Sequence, residues 1–168
     1  LKKHLNKPLR KKPKYRYVLS FGSNLGDKEA CCQDGVHYLK NFVSFIRFSE
    51  KKITKPLESQ KFDTSGQADY LNFVCEIMTN LRPFELYQKI RWIENLKGHC
   101  RDKKWQSRYL DIDILLWAKN SLSPWGKSCF LTYNRNQLYV PHNELKNRPF
   151  LFQLVEKDLK IDLFRNNF

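Results

Sequence analysis

The chain has 168 residues, of which 41% are hydrophobic and 29% are charged, as is typical of a soluble globular protein. This length suffices for one compact domain and gives no reason to expect two. No apolar run approaches the ~20 residues that a membrane-spanning helix needs, so the composition argues against a membrane protein. The formal net charge of +14 first suggests a nucleic-acid partner.

The distribution of this charge weakens that suggestion. Residues 1–16 contain eight lysines and arginines and no acid, which leaves 23 of the 31 basic residues against 17 acidic ones in the remainder. We expect residues 1–16 to form a disordered basic tail and residues 17–168 to form a single domain. A weak polyanion-binding arm is the alternative function for the tail.

The cysteines and the N-terminus indicate a cellular compartment. Five cysteines are an odd number and include no C-x-x-C pair, which argues against a zinc site and against a complete disulfide framework. The basic N-terminus has no apolar segment of the signal-peptide kind after it. A reducing cytoplasm is therefore the expected location.

Periodicity and turn signals predict six elements before residue 118. Asp27 is a suitable helix N-cap, and Pro83 suits the first position of a helix. Residues 55–68 contain Pro, Ser, Gly and Thr without periodicity and are predicted to be a long loop. The predicted elements are a strand at 17–21, a helix at 28–41, a strand within 45–53, a strand at 69–80, a helix at 83–97 and a strand at 108–117.

The order of these elements predicts the fold class. A β-α-β-β-α-β order is that of the ferredoxin-like fold, an α+β sandwich in which helices cover an antiparallel sheet. A C-terminal extension follows, with a polar segment at 118–136 and a short helix near 149–157.

The segment RYLDIDILLW, residues 108–117, places two acids inside an apolar strand. Alternate side chains of a strand point to opposite faces, so Asp111 and Asp113 should share one face. The apolar face would then hold Leu110, Ile112, Ile114 and Leu116. Two carboxylates this close repel each other unless a metal ion, an arginine or a shared proton lies between them.

A dense basic and aromatic cluster precedes the two acids. Carboxylates suit Mg²⁺, which often keeps waters and substrate phosphates as further ligands, and arginines bind phosphates directly. Together they indicate phosphoryl transfer. An Asp/Arg network that closes a sheet edge is the alternative, since a D-x-D pattern is common. The cluster comprises Arg101, Lys103, Lys104, Trp105 and Arg108.

Two further features are weak by themselves. GSNLGDK, residues 22–28, lies between a predicted strand and a predicted helix, where backbone N–H groups can meet an anion. It matches neither the dinucleotide fingerprint nor a P-loop, so a simple turn is the default interpretation. His142 is a lone histidine after Val-Pro, and such residues are more often structural than ligands.

Five ordered segments resemble the 6-hydroxymethyl-7,8-dihydropterin pyrophosphokinase family of the folate pathway. They cover most of residues 17–155, and the most specific is W-x-x-R-x-L-D-I-D-I, where the family usually reads R-W-G-P-R-T-L-D-L-D-I. The segments are SFGSNLGDK (20–28), ADYLNFVCEI (68–77), LRPFELYQKIRWIE (81–94), RDKKWQSRYLDIDILL (101–116) and VPHNELKNRPFL (140–151).

The resemblance implies a ferredoxin-like enzyme that transfers pyrophosphate from ATP to the pterin hydroxymethyl group. Asp111 and Asp113 match the acids that hold two Mg²⁺ ions, and Arg101 and Arg108 match arginines that clamp the phosphates. Trp105 matches a loop tryptophan that closes over the site. The implied ATP-binding set is Arg91, Glu94, Arg101, Trp105, Arg108, Ile114, His142 and Arg148.

The resemblance also implies a pterin site. A flat heteroaromatic ring favours aromatic faces such as Tyr70 and Phe150, and the amide of Asn72 can pair with its donor–acceptor edge. Without the resemblance, the two aromatic residues would be taken for core. The implied pterin-binding set is Thr54, Leu57, Tyr70, Asn72, Trp105 and Phe150.

The chain departs from the family pattern in its loops. His99 and Gln137 stand where the family commonly has arginines, and Gln106 and Ser107 replace Gly-Pro, which should make the loop less rigid. Lys55 replaces a residue that is usually proline or another small or acidic one, and the loop at 58–68 is longer than is typical. These changes bear on phosphate contacts and loop closure, and leave the metal site intact.

Two other functions remain open. An RNA-recognition module shares the sheet architecture, but no K/R-G-F-G-F-V-like segment is present and paired acids would repel phosphate without metal. A catalytically degenerate family member is motivated by His99 and Gln137. For the enzyme, the expected partners are ATP and the pterin, with no nucleic acid and no membrane, and the expected state is a monomer.

Overall fold

The middle layer of the protein is a five-stranded sheet, seen here in a computed structural model that describes residues 12–56, 64, 66–98, 107–120, 125, 132–135 and 138–163. A two-stranded sheet and short helical turns follow it. The elements are β1 (Tyr15–Ser23), α1 (Lys28–Leu39), β2 (Ser44–Phe48), β3 (Lys52–Thr54), β4 (Tyr70–Thr79), α2 (Pro83–Leu96), β5 (Asp111–Lys119), β6 (Tyr133–Arg135), β7 (Leu138–Val140), a 3₁₀ turn (Asn143–Leu145), α3 (Pro149–Gln153) and a π-helical turn (Leu154–Asp158).

The sheet has the order β2-β4-β1-β5, and β3 also pairs with β4. Every pairing is antiparallel, which confirms the predicted α+β sandwich with an antiparallel sheet. The single strand predicted within 45–53 is wrong in one respect, because β4 pairs there with two short strands, β2 and β3. The ferredoxin-like assignment stays a prediction, since its second strand is divided here.

Local signals place the two long helices as predicted. Asp27 caps α1 by accepting a hydrogen bond from the Ala30 N–H at 3.0 Å, and Pro83 opens α2. At the start of α2, Glu85 accepts a hydrogen bond from the Arg82 N–H at 2.7 Å. Helix α1 ends at Leu39, two residues before the predicted end.

Each face of the sheet packs against its own apolar layer. The first core lies between the sheet and helices α1 and α2; it includes Tyr17, Leu19, Phe21, Leu39, Phe73, Ile77, Leu86, Ile90, Ile93, Ile112 and Ile114. The second lies between the opposite face and the C-terminal extension; it includes Val18, Val74, Leu115, Leu116, Trp125, Leu145, Leu151, Val155, Leu159 and Ile161.

A β-bulge in β5 corrects the predicted face of Leu116. In the pairing with β1, Leu19 faces Ile114 but Val18 faces Leu116, so Leu115 is the extra residue. Leu116 therefore lies in the second core, away from Ile112 and Ile114. Strict alternation fails because a bulge reverses the faces of all residues beyond it.

The termini and the C-terminal extension differ in detail from prediction. Strand β1 begins at Tyr15, two residues inside the predicted tail of 1–16, and the Lys14 N–H donates to Asn80 Oδ1 at 3.1 Å. Residues 1–11 lie outside the described part. The helix predicted near 149–157 is α3 followed by the π-helical turn, while β6 and β7 had no strand prediction. Among the described helices, none has the length and apolarity to cross a membrane.

Candidate functional site

A cavity of 260 Å³ opens at one end of the sheet, on the face that the C-terminal extension covers. Its wall combines charged, polar and aromatic side chains from strands, loops and the C-terminal extension. The lining residues are Thr54, Lys55, Pro56, Thr64, Gln67, Tyr70, Asn72, Arg108, Asp111, Arg148 and Phe150.

Strand register explains why these residues converge. Gly22 of β1 faces Asn72 of β4 on one side and Asp111 of β5 on the other, so the three residues form a row across the sheet. A Cβ atom at Gly22 would lie 3.3 Å from Asn72 Oδ1 and 3.8 Å from a Tyr70 ring carbon. The glycine therefore leaves room between the amide and the carboxylate.

The two predicted metal ligands share this face. Asp111 Oδ2 lies 3.0 Å from Nη1 of Arg108, and Asp113 Oδ1 lies 3.8 Å from Nε2 of His142, which is charged only when protonated. Burial, followed by the neighbouring Asp111 carboxylate, raises the pKa of Asp113. Positive charge from outside the chain would therefore be stabilised at this position.

The donor set is suited to magnesium. No third His, Cys, Asp or Glu of the described residues joins Asp111 and Asp113 in a metal-binding group. Mg²⁺ usually binds through one or two carboxylates and takes waters and substrate phosphates as its other ligands. One carboxylate at the wall of an open cavity, with a second two residues further along the same strand face, fits that mode and would not fit a closed structural metal site.

Four predicted pterin-binding residues meet in the cavity. Thr54, Tyr70, Asn72 and Phe150 all line it, and Asn72 Nδ2 donates to Thr54 Oγ1 at 2.9 Å. Burial is the largest cause that raises the pKa of the half-buried Tyr70, so its phenol stays neutral. Leu57 and Trp105, the other two residues of this group of six, lie outside the described residues.

Two of the predicted ATP contacts, Arg91 and Glu94, lie on α2 behind β5, and a third, Ile114, belongs to β5 itself. Glu94 accepts a hydrogen bond from the Ile112 N–H at 2.7 Å, and Arg91 donates to the Ile112 carbonyl at 2.6 Å. Arg91 also pairs with Glu94 at 2.7 Å. Burial raises the pKa of Glu94 to about 8, while Arg91 acts in the opposite sense. Glu94 is fully buried and Ile114 nearly so. Here the hydrogen bonds of Arg91 and Glu94 hold β5 in place, and the ATP contact of all three residues stays a prediction.

The C-terminal extension brings two more predicted residues to the site. The His142 N–H donates to the Leu115 carbonyl at 2.9 Å, which ties the histidine to the bulge of β5. Its ring lies near Asp113, and Arg148 lines the cavity. Arg101 and Trp105, together with His99 and Gln137, lie outside the described residues.

Some residues of the cavity wall were missed by the sequence analysis. Lys55, Pro56, Thr64 and Gln67 belong to the loop without periodicity, where no spacing could indicate a shared pocket. Asn24, within the segment interpreted as a turn, is buried and hydrogen-bonded to the loops on both sides of the cavity. The one available signal for Asn24 was its polar side chain, at a position between the predicted strand at 17–21 and the helix cap Asp27.

Comparison with known proteins identifies the family. Residues 18–157 match the model of the 7,8-dihydro-6-hydroxymethylpterin-pyrophosphokinase family. The chain is 31% identical over 147 residues to the 2-amino-4-hydroxy-6-hydroxymethyldihydropteridine pyrophosphokinase of Bacillus subtilis (strain 168), covering 83% of this chain and 80% of the relative. It is 32% identical over 139 residues to the protein of that name from Aquifex aeolicus, covering 82% and 77%.

A third relative carries the similarity within a longer protein. The folate synthesis bifunctional protein of Chlamydia muridarum is 30% identical over 138 residues, which cover 82% of this chain but only 29% of that relative. The match therefore concerns one part of that bifunctional protein.

Proposed function

This chain belongs to the 7,8-dihydro-6-hydroxymethylpterin-pyrophosphokinase family, and we propose that it catalyses the Mg²⁺-dependent pyrophosphorylation of 6-hydroxymethyl-7,8-dihydropterin by ATP, as part of folate synthesis. The observation that carries the proposal is the cavity itself. One wall holds Thr54, Tyr70 and Asn72, and the other holds Arg108 and Asp111. A pterin and a polyphosphate would therefore meet there.

The reaction exchanges one P–O bond for another. The hydroxymethyl oxygen of the pterin attacks the β-phosphorus of ATP, and the bond from that phosphorus to the oxygen bridging the α- and β-phosphates breaks. AMP leaves, the pterin keeps the pyrophosphoryl group, and the hydroxyl proton is released. Positioning and charge stabilisation account for most catalysis of this type.

Asp111 and Asp113 are the proposed ligands of two Mg²⁺ ions. When bound, the metal ions would neutralise the triphosphate and orient it for in-line attack. Each aspartate meets a cationic or titratable partner in the absence of substrate, Arg108 and His142 respectively. Both partners stay within reach of the phosphates, where a guanidinium can bind two oxygens at once.

The pterin would lie against the polar and aromatic wall. Tyr70 and Phe150 offer ring faces for stacking, and Asn72 offers an amide with both a donor and an acceptor. Thr54 already accepts one amide hydrogen of Asn72, which orients the amide before the substrate binds. Such pre-orientation lowers the entropic cost of binding.

The proposal includes a monomeric enzyme that acts on small molecules and has no nucleic-acid partner. Size-exclusion chromatography with light scattering tests the oligomeric state. Binding of labelled RNA, with and without the first 14 residues, tests the partner. Tight and salt-sensitive binding by the shortened chain would favour the RNA-recognition alternative instead.

The nucleotide product tests the proposed function directly. The protein is incubated with ATP, Mg²⁺ and 6-hydroxymethyl-7,8-dihydropterin, and AMP is separated from ADP by chromatography. Controls omit the pterin or replace Mg²⁺ with a chelator. AMP that forms only when both are present supports diphosphoryl transfer. A folded protein that forms no AMP contradicts the proposal and favours the degenerate-member alternative.

A further inference from the structure

Asn24, in the loop after β1, is hydrogen-bonded to both sides of the substrate cavity. We propose that it is a positioning residue. Its hydrogen bonds fix Arg108, on one wall of the cavity, relative to the segment that leads to Tyr70 on the other wall. The inference rests on the proposed function, because both walls are assigned there to substrates. Asn24 itself is 2% exposed and does not line the cavity, so it would act through its neighbours.

The first tie is to the phosphate-binding wall. Asn24 Oδ1 accepts a hydrogen bond from the Arg108 N–H at 2.8 Å, and the Asn24 N–H donates to the Arg108 carbonyl at 3.1 Å. These two bonds hold the backbone of Arg108 on both sides, three residues before Asp111. The Arg108 guanidinium then meets the Asp111 carboxylate at 3.0 Å.

The second tie is to the pterin-binding wall. Asn24 Nδ2 lies 3.2 Å from the Ala68 carbonyl and 3.3 Å from Gln67 Oε1. Gln67 lines the cavity, and Tyr70 follows three residues later. Lys28, at the start of α1, strengthens the connection by donating to the Asp69 carbonyl at 2.9 Å.

Ser107 adds a connection that the family pattern does not predict. Its Oγ lies 3.3 Å from Asn24 Nδ2, at a position where the family usually has proline. A proline has no hydroxyl to accept this bond, and rigidity would have to come from its ring. In this chain the amide of Asn24 takes over part of that restraint. Three acceptors share two amide hydrogens, so the loss of Ser107 alone should have a small effect.

Only an amide can make both ties at once. An aspartate at position 24 keeps the acceptor for the Arg108 N–H, but it has no hydrogen to donate and faces the Ala68 carbonyl with negative charge. An alanine loses the whole second tie and the side-chain bond of the first, and keeps only the bond from its own N–H to the Arg108 carbonyl. The two substitutions therefore separate the phosphate wall from the pterin wall.

The test compares Asn24→Asp and Asn24→Ala with Asn120→Ala. Asn120 is a matched control, because its side chain ties chain segments at the opposite end of β1: Nδ2 donates to the Pro13 carbonyl at 2.9 Å and Oδ1 accepts from Arg16 Nε at 2.6 Å. The measurements are kcat and the pterin KM from AMP formation, together with the melting temperature of each variant.

Asn24→Asp should raise the pterin KM about tenfold while kcat changes little, since one donor group is lost on that wall. Asn24→Ala should raise KM and also lower kcat by about tenfold, because Arg108 loses one of the two hydrogen bonds that hold its backbone. Asn120→Ala should lower the melting temperature without changing either constant.

The possible failures are distinguishable. Wild-type protein that forms no AMP contradicts the proposed function and the inference with it. Active wild-type protein, with both Asn24 variants losing no more activity than Asn120→Ala, overturns the inference alone. If Asn24→Ala does not fold, the split between KM and kcat in Asn24→Asp still decides the matter.

Discussion

Two clusters of charged side chains, one around Asp111 and Asp113 and one around Glu76, lie on the same face of the sheet and are built in opposite ways. At the cavity, Asp111 and Asp113 share one face of β5. About 13 Å along β4 from Asn72, at ~3.3 Å per residue, the carboxylate of Glu76 is buried beneath the C-terminal extension. Asp111 and Arg108 of the first cluster line an open cavity, whereas the carboxylate of the second cluster is fully buried.

The two clusters differ in where their positive charge comes from. Glu76 receives hydrogen bonds from Arg16 at 2.9 Å, Arg47 at 2.7 Å and the Trp125 indole at 2.7 Å. Two cations of the chain thus surround one carboxylate. At the cavity two carboxylates pair with one arginine and one histidine. Burial and the Asp111 carboxylate raise the pKa of Asp113 by more than Arg91 and Arg148 lower it.

We use this difference to distinguish the structural acid Glu76 from the two acids that we propose to be functional. A buried carboxylate whose cations come from the protein is neutralised in the folded state and holds elements together. A pair of carboxylates beside a cavity retains negative charge that a metal ion can neutralise. Residue type alone does not distinguish the two, because all three residues are acids within strands.

The largest expected effect is on turnover at the cavity. Asp111→Asn and Asp113→Asn should each lower the rate of AMP formation by about 10²–10³-fold, the usual cost of removing one preorganised electrostatic group. The melting temperature without Mg²⁺ should stay the same or rise, since repulsion between the acids is relieved. Chromatographic AMP assays and thermal melts measure both quantities. Near-normal turnover in either variant would rule out the two-metal site.

The enclosed cluster should show the opposite pattern. Glu76→Gln leaves Arg16 and Arg47 without their carboxylate and should lower the free energy of unfolding by about 3–5 kcal/mol. The kcat of the folded fraction should stay unchanged. Urea unfolding measures the stability, and Glu29→Gln, at an exposed pair with Lys51, is the control with little expected change. A loss of kcat without loss of stability would reverse the assignment of the two clusters.

Ligand binding provides a third contrast. A ligand present at about 100 times its Kd stabilises the folded state by about 2.7 kcal/mol. Mg²⁺ with ATP should therefore raise the melting temperature of the wild-type protein and of Glu76→Gln, but not that of Asp113→Asn. Chelation of the metal should abolish the shift in the wild-type protein and in Glu76→Gln. A full shift for Asp113→Asn would show that the nucleotide binds without this acid.

The last expected effect is a dependence of stability on pH behind β5, which the neighbouring Arg91 opposes. Burial raises the pKa of Glu94 to about 8, whereas an unfolded glutamate titrates near 4.3, so the folded state binds this proton more tightly. Its contribution to stability is complete below about pH 4 and is lost as the pH rises toward about 8, by at most about 1.4 kcal/mol per pH unit.

Glu94→Gln should flatten this dependence. Denaturant unfolding in magnesium-free buffer from about pH 5 to about pH 8 measures it. The raised pKa of Asp113 contributes a slope of the same sign, so some dependence remains in the variant. An unchanged slope after Glu94→Gln would mean that the Arg91 pair keeps Glu94 ionised in the folded state.

Local signals were sufficient for most of the fold. The cap at Asp27, the proline at Pro83 and the apolar periodicity each depend on neighbours within a few residues, and the elements lie where they were predicted. The division into β2 and β3 and the bulge at Leu115 were missed. Both depend on how a strand pairs with its partner, which periodicity within one strand does not report.

The residues of the candidate site can also be divided into those that were predicted and those that were missed. Motif resemblance indicated Asp111, Asn72 and Tyr70 in advance, and the structure brings them to one cavity. Asn24 and Gln67 were missed. The contacts of Asn24 span 43 residues to Gln67 and 84 to Arg108, and no local pattern encodes such distances.

The residues alone were enough to predict both long helices, the main strands, the family and two acids that share one face of β5. Only the tertiary structure decided which acids are neutralised by the chain's own arginines, as Glu76 is, and which face a cavity. The physical reason is that periodicity and capping act over one or two turns of chain. Charge compensation depends on which distant residues the sheet and its two layers bring within a few ångströms.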